Sequence, residues 1–123
     1  MILVDTSAWI EFLRNGGKPA VEKRIRELLL ENQAAWCDMV RLELWNGAGG
    51  EPDRKMLRDL DDNVINLETN AAVWALGLDL TRRARAKGVT IPAADLLIAA
   101  CAFHHGVDIE TGDHHFHMLA KFR

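Results

Sequence analysis

The chain has 123 residues, 49% of them hydrophobic, which is typical of one globular domain, and we expect residues 1–123 to form a single domain. Its net charge is −3, from 15 Lys and Arg against 18 Asp and Glu, which argues against binding nucleic acid through bulk positive charge. No apolar stretch approaches the ~20 residues that cross a bilayer and no signal-peptide pattern is present, so we expect a cytoplasmic protein without membrane contact.

The first seven residues organise the rest of the chain. Ile2, Leu3 and Val4 form an apolar run that leads directly into Asp5, Thr6 and Ser7. A strand that is apolar on both faces belongs in the middle of a covered parallel sheet. Because ligand sites in such sheets lie beyond the carboxyl ends of the strands, the search for function begins at Asp5.

The later elements alternate between helices and strands. Helices are predicted from an N-cap at Thr6 or Ser7 to about Leu13, from Pro19 to Leu29, from a cap at Asp38 to Asn46, from Pro52 onward, from Asn70 to Lys87, and from Pro92 to about Phe103. Strands are predicted at 34–37, 64–67 and 108–111. This alternation predicts a three-layer α/β/α domain. Cys37 and Cys101, both among apolar neighbours, are expected to be buried free thiols.

Four acids stand out because they are embedded in apolar pattern or follow strand ends. They are Asp5, Glu43, Asp95 and Asp113. Each has an ordinary alternative: a helix cap for Asp5, a first-turn acid for Asp95, a solvent-facing side chain for Glu43 and a turn residue for Asp113. These ordinary explanations are less convincing for the four acids together, because strand ends and helix starts converge on one edge of a parallel sheet.

Convergence of these acids would require a cation. Two carboxylates about 6 Å apart repel each other by roughly 3 kcal/mol at an effective dielectric constant near 20. Unless cations offset this repulsion, protons bind and the pKa values rise. Mg²⁺ and Mn²⁺ prefer oxygen ligands, and a metal-bound water of lowered pKa is a nucleophile. The cluster therefore suits metal-assisted hydrolysis of a phosphodiester.

At this point the sequence resembles the PIN-domain family, and within it the VapC-type toxins of toxin–antitoxin pairs. The motifs that carry the resemblance are Val4-Asp5-Thr6-Ser7, Arg41-Leu42-Glu43, Ile91 to Ala100 around Asp95, and Thr111 to Phe116 around Asp113. A single strand followed by Asp-Thr-Ser is weak evidence. All four motifs in this order, spread over nearly the whole chain, are strong evidence.

The resemblance implies a parallel sheet of order 3-2-1-4, with a fifth strand in many members, and endoribonuclease activity that depends on Mg²⁺ or Mn²⁺. It implies that Asp5, Glu43, Asp95 and Asp113 bind metal and activate water, with Thr6 or Ser7 and Thr111 as supporting hydroxyls. It also implies an RNA substrate, an inhibiting antitoxin and a homodimer. The chain stops soon after Phe116, so we expect the fifth strand to be short or missing.

Two surfaces and one cluster leave alternatives open. The helices that carry Trp9 and Trp45 are apolar beyond one face, which indicates either a partner chain or a thick core. The basic run Arg82, Arg83, Arg85 and Lys87 suits a solvated helix C-terminus, with RNA contact as the alternative. The histidines His104, His105, His114, His115 and His117 lack the spacing of a zinc motif, and we expect them to be incidental surface residues.

Other functions fit less well. A receiver-like phospho-acceptor needs an Asp at the end of the third strand, where this chain has Asn66 and Leu67. A phosphatase with an aspartyl nucleophile needs a second Asp two residues after the first, where this chain has Ser7. A PIN-like module that binds RNA without cutting it, and another metal-dependent phosphohydrolase, remain as alternatives to the nuclease.

Overall fold

The computed structural model describes all residues from 1 to 123. Its strands are β1 (Ile2–Val4), β2 (Ala34–Cys37), β3 (Ile65–Leu67) and β4 (Asp108–Glu110). Its helices are α1 (Thr6–Leu13), α2 (Pro19–Leu30), α3 (Asp38–Asn46), α4 (Glu51–Asn63), α5 (Ala71–Ala86), α6 (Ala93–His105) and α7 (His114–Leu119), followed by a 3₁₀ turn (Ala120–Phe122). No helix is long and apolar enough to cross a bilayer.

The four strands form one parallel sheet in the order β3-β2-β1-β4, which confirms the predicted order. In the register of the sheet, Ile2 of β1 lies opposite Ala34 of β2 on one side and Asp108 of β4 on the other. No fifth strand follows β4 within the chain; residues after it form α7 and the 3₁₀ turn. All four strands end at the same edge, so the residues that follow β1 and β4 are neighbours.

One hydrophobic core lies on both sides of the sheet. Leu3 and Val4 of β1 are fully buried, as predicted for a central strand. Helix α6 buries seven consecutive residues, Leu96 to Ala102, which agrees with its uniformly apolar sequence. Cys37 and Cys101 are buried free thiols, as expected. The core therefore holds β1 and α6, the two elements that carry Asp5 and Asp95.

The aromatic side chain of Trp9 belongs to the core. Trp9 is fully buried and packs edge-on against Trp36, with ring centroids 5.7 Å apart. Trp45 is partly buried and packs against the same core. For these two residues the thick-core alternative is correct. The exposed apolar residues of the same helices are instead Ile10 and Leu42.

Two residues of the basic run at the end of α5, Arg82 and Arg83, form contacts within the chain. Arg82 and Arg83 both pair with Asp79, one helical turn earlier. Arg83 also donates to the backbone carbonyl of Phe122. These contacts favour the solvated helix terminus for this pair of arginines over a surface reserved for RNA.

Candidate active site

Asp5 lies directly after β1 and is the one buried charged residue of the chain, with 2% of its surface exposed. It caps α1, because its Oδ1 accepts a hydrogen bond from the backbone N–H of Ala8 at 3.0 Å. The predicted N-cap at Thr6 or Ser7 is therefore wrong by one or two residues. Ser7 Oγ donates to the same oxygen at 2.9 Å, and Thr111 Oγ1 donates to Oδ2 at 2.7 Å. Both carboxylate oxygens are thus held in place.

Burial raises the pKa of Asp5 above its usual value. The hydrogen bonds from Thr111, Ala8 and Ser7 oppose this effect, because they stabilise the ionised form. The negative charge of Asp113 raises the pKa further. The ionised form of Asp5 is therefore destabilised in the fold, and a nearby cation would stabilise it.

Glu43 reaches the site from α3. Thr6 Oγ1 donates to Glu43 Oε1 at 2.8 Å, so the first turn of α1 orients a carboxylate that lies 37 residues later in the chain. Asp38, which was expected to cap α3, is instead its first residue, and Cys37 occupies the cap position without a side-chain hydrogen bond. This correction leaves the placement of Glu43 unchanged.

Asp95 reaches the site from the first turn of α6. Burial raises its pKa, and the negative charges of Asp113 and Glu43 raise it further. His115 lowers the pKa of Asp95, both by its charge and by a hydrogen bond. The side chain of His115 places Nδ1 3.0 Å from Asp95 Oδ2. Asp95 is therefore surrounded by two acids and one imidazole.

Asp113 caps the short helix α7, with its Oδ1 accepting from the backbone N–H of His115 at 2.9 Å. Its own backbone N–H donates to Thr111 Oγ1 at 2.8 Å. Since Thr111 also donates to Asp5, one hydroxyl connects the residues after β1 and β4. A second link runs from the backbone N–H of Gly112 to Ser7 Oγ at 3.1 Å.

The structure thus brings together every residue that the sequence singled out for the site. Each of the four acids comes from a different part of the chain, and each of the three predicted hydroxyls bonds to an acid or to its backbone. None of the four carboxylates forms a salt bridge with Lys or Arg; the nearest nitrogen-bearing side chains are His114 and His115. A set of carboxylate and hydroxyl oxygens with no lysine or arginine paired to it fits a hard divalent cation.

His115 is the site residue that sequence reasoning missed. The expectation that the tail histidines are incidental surface residues is wrong for this one, because its Nδ1 lies 3.0 Å from both Asp95 Oδ2 and Asp113 Oδ1. Its position two residues after Asp113 was a usable signal. His104 and His105 lie elsewhere, against Asn70 and the carbonyl of Glu68.

A groove of about 250 Å³ lies between α1, α3 and α4, and Glu43 is one of the residues that line it. Its apolar lining includes Ile10, Leu13, Leu44 and Met56. Ile10 is 47% exposed, although it belongs to a helix whose other face is in the core. The acidic cluster therefore adjoins an apolar surface that faces solvent.

The PIN domain family matches the chain over residues 2–121. The chain belongs to the PIN-domain family. This PIN domain is 34% identical to the VapC ribonuclease Mb1587 of Mycobacterium bovis, over 98% of the chain and 92% of the relative. It is 30% identical to the ribonuclease VapC18 of Mycobacterium tuberculosis, over 95% of the chain and 85% of the relative. These matches confirm the family resemblance.

Solved structures agree with the PIN fold. VapBC2 from Rickettsia felis, bound to a DNA fragment from its promoter, superposes with a TM-score of 0.78 at 20% identity, covering 93% of this PIN domain and 89% of that chain. FitAcB from Neisseria gonorrhoeae superposes with a TM-score of 0.75 at 24% identity, covering 98% and 94%. At these identities the two structures support the fold alone.

Proposed function

We propose that this PIN domain is a toxin with endoribonuclease activity, dependent on Mg²⁺ or Mn²⁺ and inhibited by a cognate antitoxin. The observation that carries the proposal is the meeting of Asp5, Glu43, Asp95 and Asp113 in one site with no Lys or Arg paired to them. The named ribonuclease relatives, which match nearly the full chain, supply the substrate class.

The four carboxylates would hold the cation through their oxygens. When bound, the cation supplies a water of lowered pKa and polarises a phosphoryl oxygen of the RNA. Thr111 and Ser7 keep the carboxylate of Asp5 in one orientation. Thr6 holds Oε1 of Glu43, so that the other carboxylate oxygen of Glu43 can accept a proton from the attacking water.

The groove beside Glu43 is the surface we propose for the antitoxin. An amphipathic helix that places apolar residues between Ile10, Leu44 and Met56 would cover apolar surface and block access to the acids. Arg14 and Asp53 also line the groove and can pair with charges on the incoming segment. One surface would thus serve binding and inhibition together.

A homodimer through α5 is the assembly we propose. Trp74 and Leu78, one helical turn apart, are 56% and 67% exposed. Glu68 precedes α5, and the exposed residue Arg85 lies at its far end. An antiparallel pairing of two α5 helices would therefore bring opposite charges together. Light scattering should show a dimer for the native chain and a monomer for Trp74→Glu; a native monomer would contradict the assembly.

We also propose that residues 1–123 form one domain, since a single buried cluster includes residues from Leu3 to Phe122. One cooperative unfolding transition, seen alike by near- and far-ultraviolet circular dichroism, is the expected result. Two separate transitions would contradict it.

The activity is tested with labelled single-stranded RNA incubated with the protein and Mn²⁺, with and without a chelator. Cleavage that the chelator abolishes is the expected result. A shifted band without cleavage would favour the RNA-binding module. Release of phosphate from a small phosphomonoester, with the RNA left intact, would favour the phosphohydrolase. Sequencing the RNA ends produced in cells would then identify the target.

A further inference from the structure

The imidazole of His115 occupies a distinctive place among the acids. Its Nδ1 lies 3.0 Å from Oδ2 of Asp95 and 3.0 Å from Oδ1 of Asp113. A cation with octahedral geometry and bonds of about 2.1 Å holds neighbouring donor atoms about 3 Å apart. The nitrogen therefore lies from each of the two oxygens at the distance that separates neighbouring donors of one cation.

The fold fixes this ring in place. The backbone N–H of His115 donates to Asp113 Oδ1, and the next residue, Phe116, is buried in the core. The His115 side chain is 27% exposed, against 78% for His114, whose Nδ1 is 3.7 Å from Asp113 Oδ1. His115 is thus the anchored histidine of the pair, and His114 is the solvent-facing one.

We propose that Nδ1 of His115 is a metal ligand, so that the site offers one nitrogen beside its carboxylate oxygens. Mg²⁺ binds oxygen donors and takes imidazole poorly, whereas the first-row transition ions accept imidazole. The nitrogen therefore biases the site toward Mn²⁺ and the later divalent ions over Mg²⁺. This inference rests on the proposed metal-dependent function, and it adds to it the identity of a ligand and the direction of metal preference.

Electron paramagnetic resonance of Mn²⁺ added to the full chain tests the ligand without reference to activity. We expect bound Mn²⁺ to show hyperfine coupling to a directly coordinated ¹⁴N nucleus in the native protein and in His117→Gln, a matched change at an exposed histidine of the same helix. The coupling should disappear in His115→Gln and persist in His114→Gln. Competition with Mg²⁺ should show the preference for Mn²⁺ falling about 10-fold or more in His115→Gln.

Each other outcome contradicts a specific part of the argument. Mn²⁺ that binds without nitrogen coupling overturns the role of His115 and leaves the proposed function standing. Coupling that survives His115→Gln but vanishes in His114→Gln assigns the ligand to the other ring and also overturns it. A native chain that binds no Mn²⁺ contradicts both proposals. If His115→Gln does not fold, labelling the native protein with ¹⁵N-histidine must change the coupling, and an unchanged spectrum overturns the inference.

Discussion

Thr111 donates its hydroxyl hydrogen to Oδ2 of Asp5 at 2.7 Å, across 106 residues of sequence. The same hydroxyl oxygen accepts the backbone N–H of Asp113. A single side chain thus connects the residue after β1 to the loop after β4. Whether this bond chiefly stabilises the fold or chiefly orients the carboxylate can be measured.

Thr111→Val keeps the shape of the side chain but removes the hydroxyl. A hydrogen bond to a charged group contributes about 1.5–3 kcal/mol, so we expect the free energy of unfolding to fall by that amount in urea titrations. RNA cleavage should fall as well, because Asp5 loses one of its three donors. Thr111→Ser restores the donor and should recover most of both quantities. A Val variant with native stability and native activity would show that the bond is dispensable.

Asp95→Asn should abolish cleavage while leaving the fold intact. Without metal the variant should be as stable as the native chain or more stable, because the charges of Asp113 and Glu43 both disfavour an ionised Asp95. Thermal melting in the presence of a chelator measures this. Asp62→Asn, at an exposed acid, is the control and should change neither quantity. If the activity of Asp95→Asn merely follows unfolding, the catalytic assignment is wrong. Asp5→Asn is expected to behave alike.

The raised pKa values of Asp5 and Asp95 predict how stability without metal depends on pH. Because both pKa values lie above the ordinary 3.8 in the folded protein, the folded state binds these protons more tightly than the unfolded chain. Their stabilising contribution is fully present below pH 3.8 and is lost as the pH rises through the raised values. We therefore expect the native chain to lose more stability than Asp95→Asn between pH 4 and pH 7 in chelator.

Unfolding curves of the two proteins at matched pH values isolate this difference from the titration of all other groups. Saturating Mn²⁺ should reverse the trend for the native chain, since the cation favours ionised carboxylates. Parallel curves for the native protein and the variant would contradict the raised pKa of Asp95.

Ile10→Glu should separate antitoxin binding from catalysis. Ile10 lines the groove and is 47% exposed, so a charged residue there costs the fold little but disrupts an apolar contact. We expect antitoxin affinity to fall at least about 10-fold in calorimetric titrations, with RNA cleavage unchanged. Leu30→Glu, at an exposed apolar residue outside the groove, is the matched control. Native affinity in the Ile10 variant would place the antitoxin elsewhere.

Two glycines should respond oppositely to alanine. A Cβ at Gly77, inside α5, would meet the Cβ of Ala100 at an ordinary 3.8 Å, so Gly77→Ala should stabilise the protein by about 0.5–1 kcal/mol. A Cβ at Gly17 would lie 1.9 Å from the carbonyl oxygen of Glu11, so Gly17→Ala should destabilise it by about 1–3 kcal/mol. Urea unfolding of both variants checks the signs. A loss of stability in Gly77→Ala would mean that α5 and α6 are packed more closely than this 3.8 Å contact indicates.

The sequence was informative about the site where local pattern alone constrains position. Asp5 follows a strand too apolar to lie anywhere but the sheet centre, and Asp95 begins a helix with no exposed face. For such residues, the buried position of the strand or helix determines where the side chain lies. The order β3-β2-β1-β4 came from the family resemblance, because the pattern of residues in one sequence does not indicate which strands pair.

The sequence was less informative where two distant side chains meet. No periodicity indicates that His115 turns toward Asp95, since α7 is six residues long and its direction depends on Phe116 entering the core. The cap of α1 was misplaced for a related reason. Asp5, Thr6 and Ser7 can all cap a helix. In the structure the hydroxyl of Thr6 bonds to Glu43, and Oδ2 of Asp5 accepts from Thr111, so that Oδ1 of Asp5 caps α1.

The strands are short, which affects how well the site withstands a shift in the register of the sheet. Strands β1, β3 and β4 have three residues each and β2 has four. Few hydrogen bonds between strands therefore oppose the sliding of one strand past another. A slip of one residue would move Asp5 by about 3.3 Å and turn its side chain to the opposite face of the sheet. Its 2.7 Å hydrogen bond with Thr111 would then be broken. The fully buried Leu3 and Val4 make such a slip costly, and the alignment that the core enforces is also the alignment that chemistry at Asp5 requires.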